Sequence, residues 1–235
     1  MRPRGGSLQR MNDNQMKRAL QSYSFWEHMT GGEQELFTQH TQTRHYHQGE
    51  IIHSPAARCE GVLMVLKGEL RPYLLSEEGR EVTLYRTRAG EVCILSASCV
   101  LSAISFDVFI EAAEDTDVLM TDTVTFRALT EENIYVRCYG YEQASQRFSD
   151  VMWSMQQLLF MSTDRRIASY LLDRCEETGS ATIRETQQEI ASGAGTAREV
   201  VSRMLKNFEE DGLVKTSRGR VKILDPDKLR DSLQL

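Results

Sequence analysis

Apolar residues change their spacing several times along this chain. Met16, Leu20, Tyr23 and Trp26 recur at three- and four-residue steps, which predicts a helix over 16–32. Gly31-Gly32 should break it, and a short helix, Glu33 to Thr41, should follow. Between Thr43 and Asp122 the period falls to two. Gly49, Pro55, Gly61, Gly68, Gly79 and Gly90 separate short apolar runs such as the one from Val62 to Leu66. Many short strands with glycine punctuation predict an antiparallel barrel or double-sheet roll, and the stretch Glu77 to Arg80 reads as a hairpin turn.

Helical spacing returns over 124–161. Phe148, Val151, Met155, Leu158 and Ser162 alternate three- and four-residue steps, with Met152 and Leu159 widening the stripe. Such a seam is what a dimeric coiled coil requires; packing of the helix on its own domain is the competing reading. A last helical run begins near Ser162-Thr163-Asp164, passes Ile167, Tyr170 and Leu171 to Cys175, and should stop at Gly179. The expected organisation is a flexible arm at 1–15, a β-roll at 16–132, a long helix at 133–161 and a C-terminal domain at 162–235. No repeats and no low-complexity segments interrupt it.

The C-terminal domain carries the clearest local signature. Ile190 and Ala191 place small apolar groups on a short helix, and Gly195 supplies a turn where a positive φ is needed. Thr196 is placed to cap a second helix, on which Val200, Val201, Met204, Leu205 and Phe208 form a buried stripe. The opposite face exposes Arg198, Glu199, Ser202 and Arg203, at the end of a recognition helix that meets base edges in a major groove. Gly212 stops that helix. The run Leu213 to Thr216, a turn at Ser217–Gly219 and the run Val221 to Leu224 then make a two-stranded wing. Thr196, Lys206, Lys215, Arg218 and Arg220 are the expected phosphate contacts.

Charge does not oppose this. The net charge of −6 is unusual for a nucleic-acid binder, but residues 163–235 hold 13 Lys/Arg and 13 Asp/Glu, so the whole deficit lies in 1–162. Between Arg184 and Lys222 eight basic residues face six acidic ones. An acidic body with a locally basic tip binds a phosphate backbone by orienting that tip. Hydrophobic content of 40% and charged content of 26% are ordinary globular values, and no apolar run is long enough to span a bilayer. Arg2, Arg4 and Arg10 are not followed by an apolar stretch, so no secretory signal is expected. A cytoplasmic setting follows, in which Cys59, Cys93, Cys99, Cys138 and Cys175, none in a CxxC pair, are reduced thiols.

The stretch Arg198 to Lys206, followed by Glu210 to Val214, strongly resembles the Crp/Fnr family of bacterial regulators. Gly49-Glu50 with Ile51 and Ile52, and the run Val65 to Leu70, agree with it along the N-terminal half. The resemblance covers nearly the whole chain. It implies an α+β fold: an N-terminal antiparallel β-roll of the cyclic-nucleotide-binding type, a long dimerisation helix and a C-terminal winged helix-turn-helix. It implies no enzyme, but a homodimer on double-stranded DNA, with RNA polymerase as a further partner and no membrane. Glu199, Ser202 and Arg203 become base readers in the form of the Fnr branch, which implies palindromic sites with TTGA-like half-sites. The chemistry fits, since Arg203 can donate twice to a guanine and Glu199 accept from a cytosine amino group. One departure is Gly193-Ala194 in the first helix, where the family has a helix former and a larger apolar residue; a glycine there costs roughly 1 kcal/mol and should loosen the helix.

The same resemblance narrows the signal. Where cyclic-nucleotide sensors of the family hold ribose and phosphate, this chain has Ile94-Leu95 and Phe106-Asp107, which would leave an anion unpaired or repelled. With no cysteine before Cys59, the iron–sulfur site of the oxygen sensors is missing. Gly90, Cys93, Leu95, Cys99, Phe106 and Asp107 outline the expected effector pocket. Ile94, Leu95 and Phe106 suggest an apolar effector, while Cys93 and Cys99 suggest a redox pair, against the reading that they are small core residues. Haem, a cluster and redox thiols all stay open as signals, and no cofactor is assigned. His45 and His47, on alternate strand positions, share a face and could hold a metal or haem iron. Without a third ligand they read as surface histidines, and no metal site is assigned. Activation and repression are not distinguished. The competing function is a small-molecule-binding module whose helix-turn-helix makes only protein contacts. No Gly-rich phosphate loop, HExxH motif or nucleophile elbow supports catalysis.

Overall fold

The computed structural model describes residues 13–55, 61–94 and 108–231. These form two compact units: residues 1–73 with 84–151, and residues 74–83 with 152–235.

The first unit is a two-sheet roll. It opens with α1 (Asp13–Leu20), a single 3-10 turn (Trp26–His28) and α2 (Gly31–Gln39). The long helix expected over 16–32 is therefore two shorter elements, and Gly31-Gly32 begins a helix where a break was expected. The cause is the capping box: the Thr30 hydroxyl accepts from the Glu33 N–H while the Glu33 carboxylate accepts from the Thr30 N–H at 2.6 Å. Glycine is tolerated in that first turn because the cap, not side-chain packing, starts the helix. Tyr23 and Phe25 turn inward and join Phe37 and Tyr139 in a set of mostly edge-to-face aromatic contacts.

The strands are β1 (Thr41–Tyr46), β2 (Ile51–His53), β3 (Val62–Lys67), β4 (Glu69–Leu75), β5 (Glu81–Thr83), β6 (Thr87–Arg88), β7 (Val92–Cys93), β8 (Phe109–Ala112) and β9 (Thr116–Thr121). One sheet runs β1-β9-β3-β7; in the other β4 lies between β8 and β6, with β2 beyond β8. All pairings with a defined register are antiparallel. On β3 the alternation is explicit: Leu63 and Val65 face the core between the sheets, with Ile52, Leu70, Ile110 and Val118. Val62 and Met64 face a second core with Leu119 of β9 and with Leu20, Phe37 and Phe126 from the covering helices. A strand buried on both faces explains its unbroken apolar run. The buried Glu69 carboxylate accepts from Arg86 and, at 3.0 Å, from Arg88, and so does not enter the core as a lone charge.

Helix α3 (Thr123–Glu132) is capped by Asp122, which accepts from the Thr125 N–H at 2.9 Å. Asn133 then restarts the chain into α4 (Ile134–Phe160) by accepting from the Tyr135 N–H at 2.9 Å. Along α4 the exposed apolar residues are Ile134, Tyr135, Tyr141, Phe148, Met152, Trp153, Met155, Leu159 and Phe160. Val151 packs against the core between the sheets, and Leu158 is half-buried against Gly195. Of the expected stripe, Phe148, Met152, Met155 and Leu159 are exposed, while Val151 and Leu158 are half-buried in contacts inside the chain.

The second unit holds the β4–β5 hairpin tip, α5 (Thr163–Thr178), β10 (Thr182–Ile183), α6 (Gln187–Gly193), α7 (Arg198–Glu210), β11 (Val214–Ser217), β12 (Arg220–Ile223) and α8 (Pro226–Asp231). Gly79 turns the hairpin at φ 79°, and Gly179 ends α5 at φ 62°, as the sequence predicts. Ile167, Leu171, Ile190, Val201, Leu205, Phe208, Val221 and Leu229 share one core. The strands form a sheet in the order β10-β12-β11, of which β10 is not signalled by the sequence pattern.

Candidate nucleic-acid interface

Helix α6 starts in a capping box: Thr186 Oγ1 accepts from the Glu189 N–H at 3.2 Å, and Glu189 accepts from the Thr186 N–H at 2.6 Å. Gly193, its last residue, is not a loosening defect. A Cβ there would run into the Tyr170 ring. That ring is fixed, since Tyr170 donates to Glu185 at 2.7 Å and Arg174 holds the other Glu185 oxygen at 2.7 Å. The small residue is thus what lets α6 approach α5.

The turn to α7 passes through Gly195 at φ 60°, as expected. The expected cap does not form. Ala197 is the residue before the first helical position, so Thr196 lies one position too early, and no side chain caps α7. Thr196 is instead nearly buried, its N–H donating to the Ala191 carbonyl at 2.9 Å, which leaves little side chain to meet a phosphate.

Around this turn the structure places residues that sequence reasoning missed. Arg166, 9% exposed, donates to the carbonyls of Met161 at 2.9 Å and Ala194 at 3.0 Å, and more weakly to Gly195 at 3.5 Å. Arg80, from the hairpin, also donates to the Gly195 carbonyl, and Ser192 donates to Glu81 at 3.1 Å. Burial, and then the nearby Arg80 charge, pull the Arg166 guanidinium below its usual value. Nothing in a local pattern signals these contacts, which join residues far apart in sequence.

On α7, Val201, Leu205 and Phe208 are buried and Val200 and Met204 half-buried, which is the predicted stripe. Arg198, Glu199, Ser202, Arg203 and Lys206 are all exposed. Across the turn at Gly219, φ 67°, the wing pairs Ser217 with Arg220 and Lys215 with Lys222. Lys215, Arg218 and Arg220 are exposed as well. Glu209 ties the wing to α7 by accepting from Thr216 Oγ1 at 2.8 Å and its N–H at 3.1 Å. An open, polar groove of about 580 Å³ runs between the start of α6, Arg198 and the wing turn. The basic side chains therefore separate by environment. Arg166 and Arg174 are buried or locked in structural bonds, whereas Arg198 and Arg203 on α7 and Lys215, Arg218 and Arg220 on the wing are exposed without an ion pair among the described residues.

Residues 165–232 match the family model described as a Crp-like helix-turn-helix domain, and residues 43–133 match the cyclic nucleotide-binding domain. A crystal structure of a transcriptional regulator of the crp/fnr family from Eubacterium rectale is 38% identical, with 92% of this chain and 100% of that chain covered and a TM-score of 0.87. The chain belongs to the Crp/Fnr family. It is a transcription regulator with a helix-turn-helix DNA-binding domain, not an enzyme. A curated relative, the cAMP-activated global transcriptional regulator Vfr of Pseudomonas aeruginosa, is 26% identical over 185 residues, covering 74% of this chain and 86% of its own length. The c-di-GMP-responsive regulator CLP of Xanthomonas campestris shares the fold at 21% identity, covering 83% of this chain and 99% of that one with a TM-score of 0.71.

Of the expected effector-pocket residues, Leu95, Cys99, Phe106 and Asp107 lie outside the described residues, as does Cys59. Gly90 turns at φ 88°, and Cys93 is fully buried in the core between the sheets. Ile94 is fully buried in the other core, beneath the helices, so it is used in packing there and does not line the roll interior. The interior carries polar groups that the sequence reading did not single out. Arg147 of α4 lies over the Tyr85 ring at 4.9 Å and donates to Asp150 at 2.9 Å. Its Nε and the Thr87 hydroxyl are buried without a hydrogen-bond partner among the described residues. Burial, with Cys93 alongside, holds the Tyr85 phenol well above its usual value. No described helix is long and apolar enough to cross a membrane.

Proposed function

We propose that the chain acts as a homodimer on a palindromic operator with TTGA-like half-sites. In this reading Arg198, Glu199, Ser202 and Arg203 read base edges, and Lys206, Lys215, Arg218 and Arg220 hold phosphates. The observation that carries it is that the four reading side chains sit together, exposed and free of hydrogen bonds or ion pairs among the described residues, on the first turns of α7. The first amides of that helix have no side-chain cap, which suits an anion. Fluorescence anisotropy on a TTGA-type palindrome and on a scrambled duplex at one fixed salt concentration tests it. Binding tighter on the palindrome by roughly a thousandfold or more is expected for a specific regulator. Equal affinity for both duplexes would sink the operator assignment.

The exposed α4 seam of Phe148, Met152, Met155 and Leu159 supports the dimer. RNA polymerase is the further partner of such a regulator. For the signal, we propose an effector that is not a cyclic nucleotide and that presents a hydrogen-bond acceptor to Arg147 and Thr87, or a redox change at Cys93. Ile94 supports the first part: it is buried in packing where the family's cyclic-nucleotide sensors carry part of their ribose-binding pair. Cyclic AMP should leave both the thermal midpoint and operator affinity unchanged; a rise in either overturns this part while leaving the DNA assignment standing.

A further inference from the structure

The two histidines that read as lone surface residues acquire partners when the roll closes. Strand β1 pairs with β9 so that His45 stands opposite Asp117, and His45 Nδ1 lies 2.7 Å from Asp117 Oδ1. His47, two positions on, shares its face. The next turn is fastened to the loop after β8: the Gly49 N–H donates to the Ala112 carbonyl at 2.8 Å, and the Gln48 N–H donates to Asp115 Oδ1 at 3.0 Å. Asp115 is thereby brought beside both rings. His47 Nδ1 is 3.7 Å from Asp115 Oδ1, and one ligand atom from each of His45, His47 and Asp115 falls within 4.8 Å of the other two. The rings stand at 81° to each other with centroids 4.9 Å apart, edge to face and not stacked.

We infer that His45, His47 and Asp115 form a binding site for a borderline divalent transition-metal ion, with zinc as the best match. The donor set is two imidazoles and one carboxylate, which suits zinc and its neighbours and disfavours magnesium or calcium. Bonds of about 2.0–2.1 Å at tetrahedral angles put ligand atoms roughly 3.4 Å apart. The His47–Asp115 spacing is already close to that and long for a hydrogen bond, and the exposed side chains have room to close the rest. Asp117 is a positioning residue: bonded to one nitrogen of His45, it fixes the ring and leaves the other nitrogen to coordinate. The ion would tie the end of β1 to the loop between β8 and β9.

The test uses the full chain stripped of metal, titrated with Zn²⁺ by calorimetry and with Co²⁺ by visible absorption. Expected are one equivalent per chain, cobalt d–d bands without a sulfur charge-transfer band, and a zinc-dependent rise in thermal midpoint. His47→Ala and Asp115→Asn should each abolish the cobalt bands and the thermal shift, while Asp117→Asn weakens zinc about 10- to 100-fold. His40→Ala, which removes a histidine paired with Asp122 elsewhere, should change nothing. All four side chains are at least half-exposed or near the surface, and midpoints measured without metal check that each variant folds. Absence of stoichiometric binding overturns the site. So does zinc binding that survives in His47→Ala and Asp115→Asn, or a cobalt–thiolate band, either of which would place the ion elsewhere.

Discussion

At the scale of single residues, Arg203 and Arg218 should fail differently. Arg203 stands on the exposed face of α7, and Arg218 on the wing turn. Arg203→Ala should cost roughly 1–3 kcal/mol on the preferred operator and relax discrimination at one base step. Arg218→Ala should weaken all sequences alike. Equal losses across a panel of single-base operator variants would remove Arg203 from base reading. Arg166 belongs to the other class of arginine. Replacing it with Met leaves buried carbonyls at Met161 and Ala194 without their donor and should destabilise the second unit by about 2–3 kcal/mol in denaturant melts. Gly193→Ala gains helix propensity of about 1 kcal/mol but drives a methyl into the Tyr170 ring, which Glu185 holds in place. The net result should be destabilising in the natural background and neutral or stabilising with Tyr170→Leu. The exposed face of α7 was legible because a helical period of known phase tells inside from outside. Thr196 and Gly193 were misread because one residue of helix boundary, and one ring from α5, lie beyond any local pattern.

At the scale of elements, the α4 seam is a place where packing decides what periodicity leaves open. The sequence offers two adjacent apolar stripes, and periodicity does not say which one the roll consumes. Val151 and Leu158 are half-buried in contacts inside the chain, and the proposed dimer would use the exposed Phe148, Met152, Met155 and Leu159. Met152→Glu with Leu159→Glu should give a folded monomer in sedimentation, whereas Val151→Glu should lower the thermal midpoint outright. A dimer that survives the first pair would place the interface elsewhere. The N-terminal helices fail for a related reason, since a capping box at Thr30 outweighs the helix-breaking tendency of two glycines. The Glu209 carboxylate ties the wing to α7. Hydrogen bonds from the Thr216 hydroxyl and N–H hold the Glu209 carboxyl below its usual range. A depressed folded value means the contribution is present above the unfolded carboxylate range and is lost as pH falls through the folded value. Glu209→Ala should therefore destabilise at neutral pH and converge with the unsubstituted protein in acid, seen as midpoints that meet as pH is lowered.

At the scale of the whole molecule, the charge distribution and the proposed dimer make one joint prediction. The acidic excess lies in residues 1–162, while the exposed cations of α7 and the wing lie in a neutral C-terminal stretch. Binding must then be driven by local phosphate neutralisation against a repulsive remainder, so affinity should fall steeply with salt. The slope counts phosphates per bound assembly and not per chain. If two copies occupy a two-fold operator, Arg218→Ala removes two cations at once, and the slope of log K against log salt should drop by about 1.8. A single bound copy would lose only about 0.9. The same titration with Arg203→Ala should leave the slope nearly unchanged while lowering affinity, because a base edge releases no counterion. A drop near 0.9 for Arg218→Ala in a protein that sediments as a dimer would mean that only one wing of the pair reaches DNA. That result would displace the symmetric operator and leave the assignment of α7 intact.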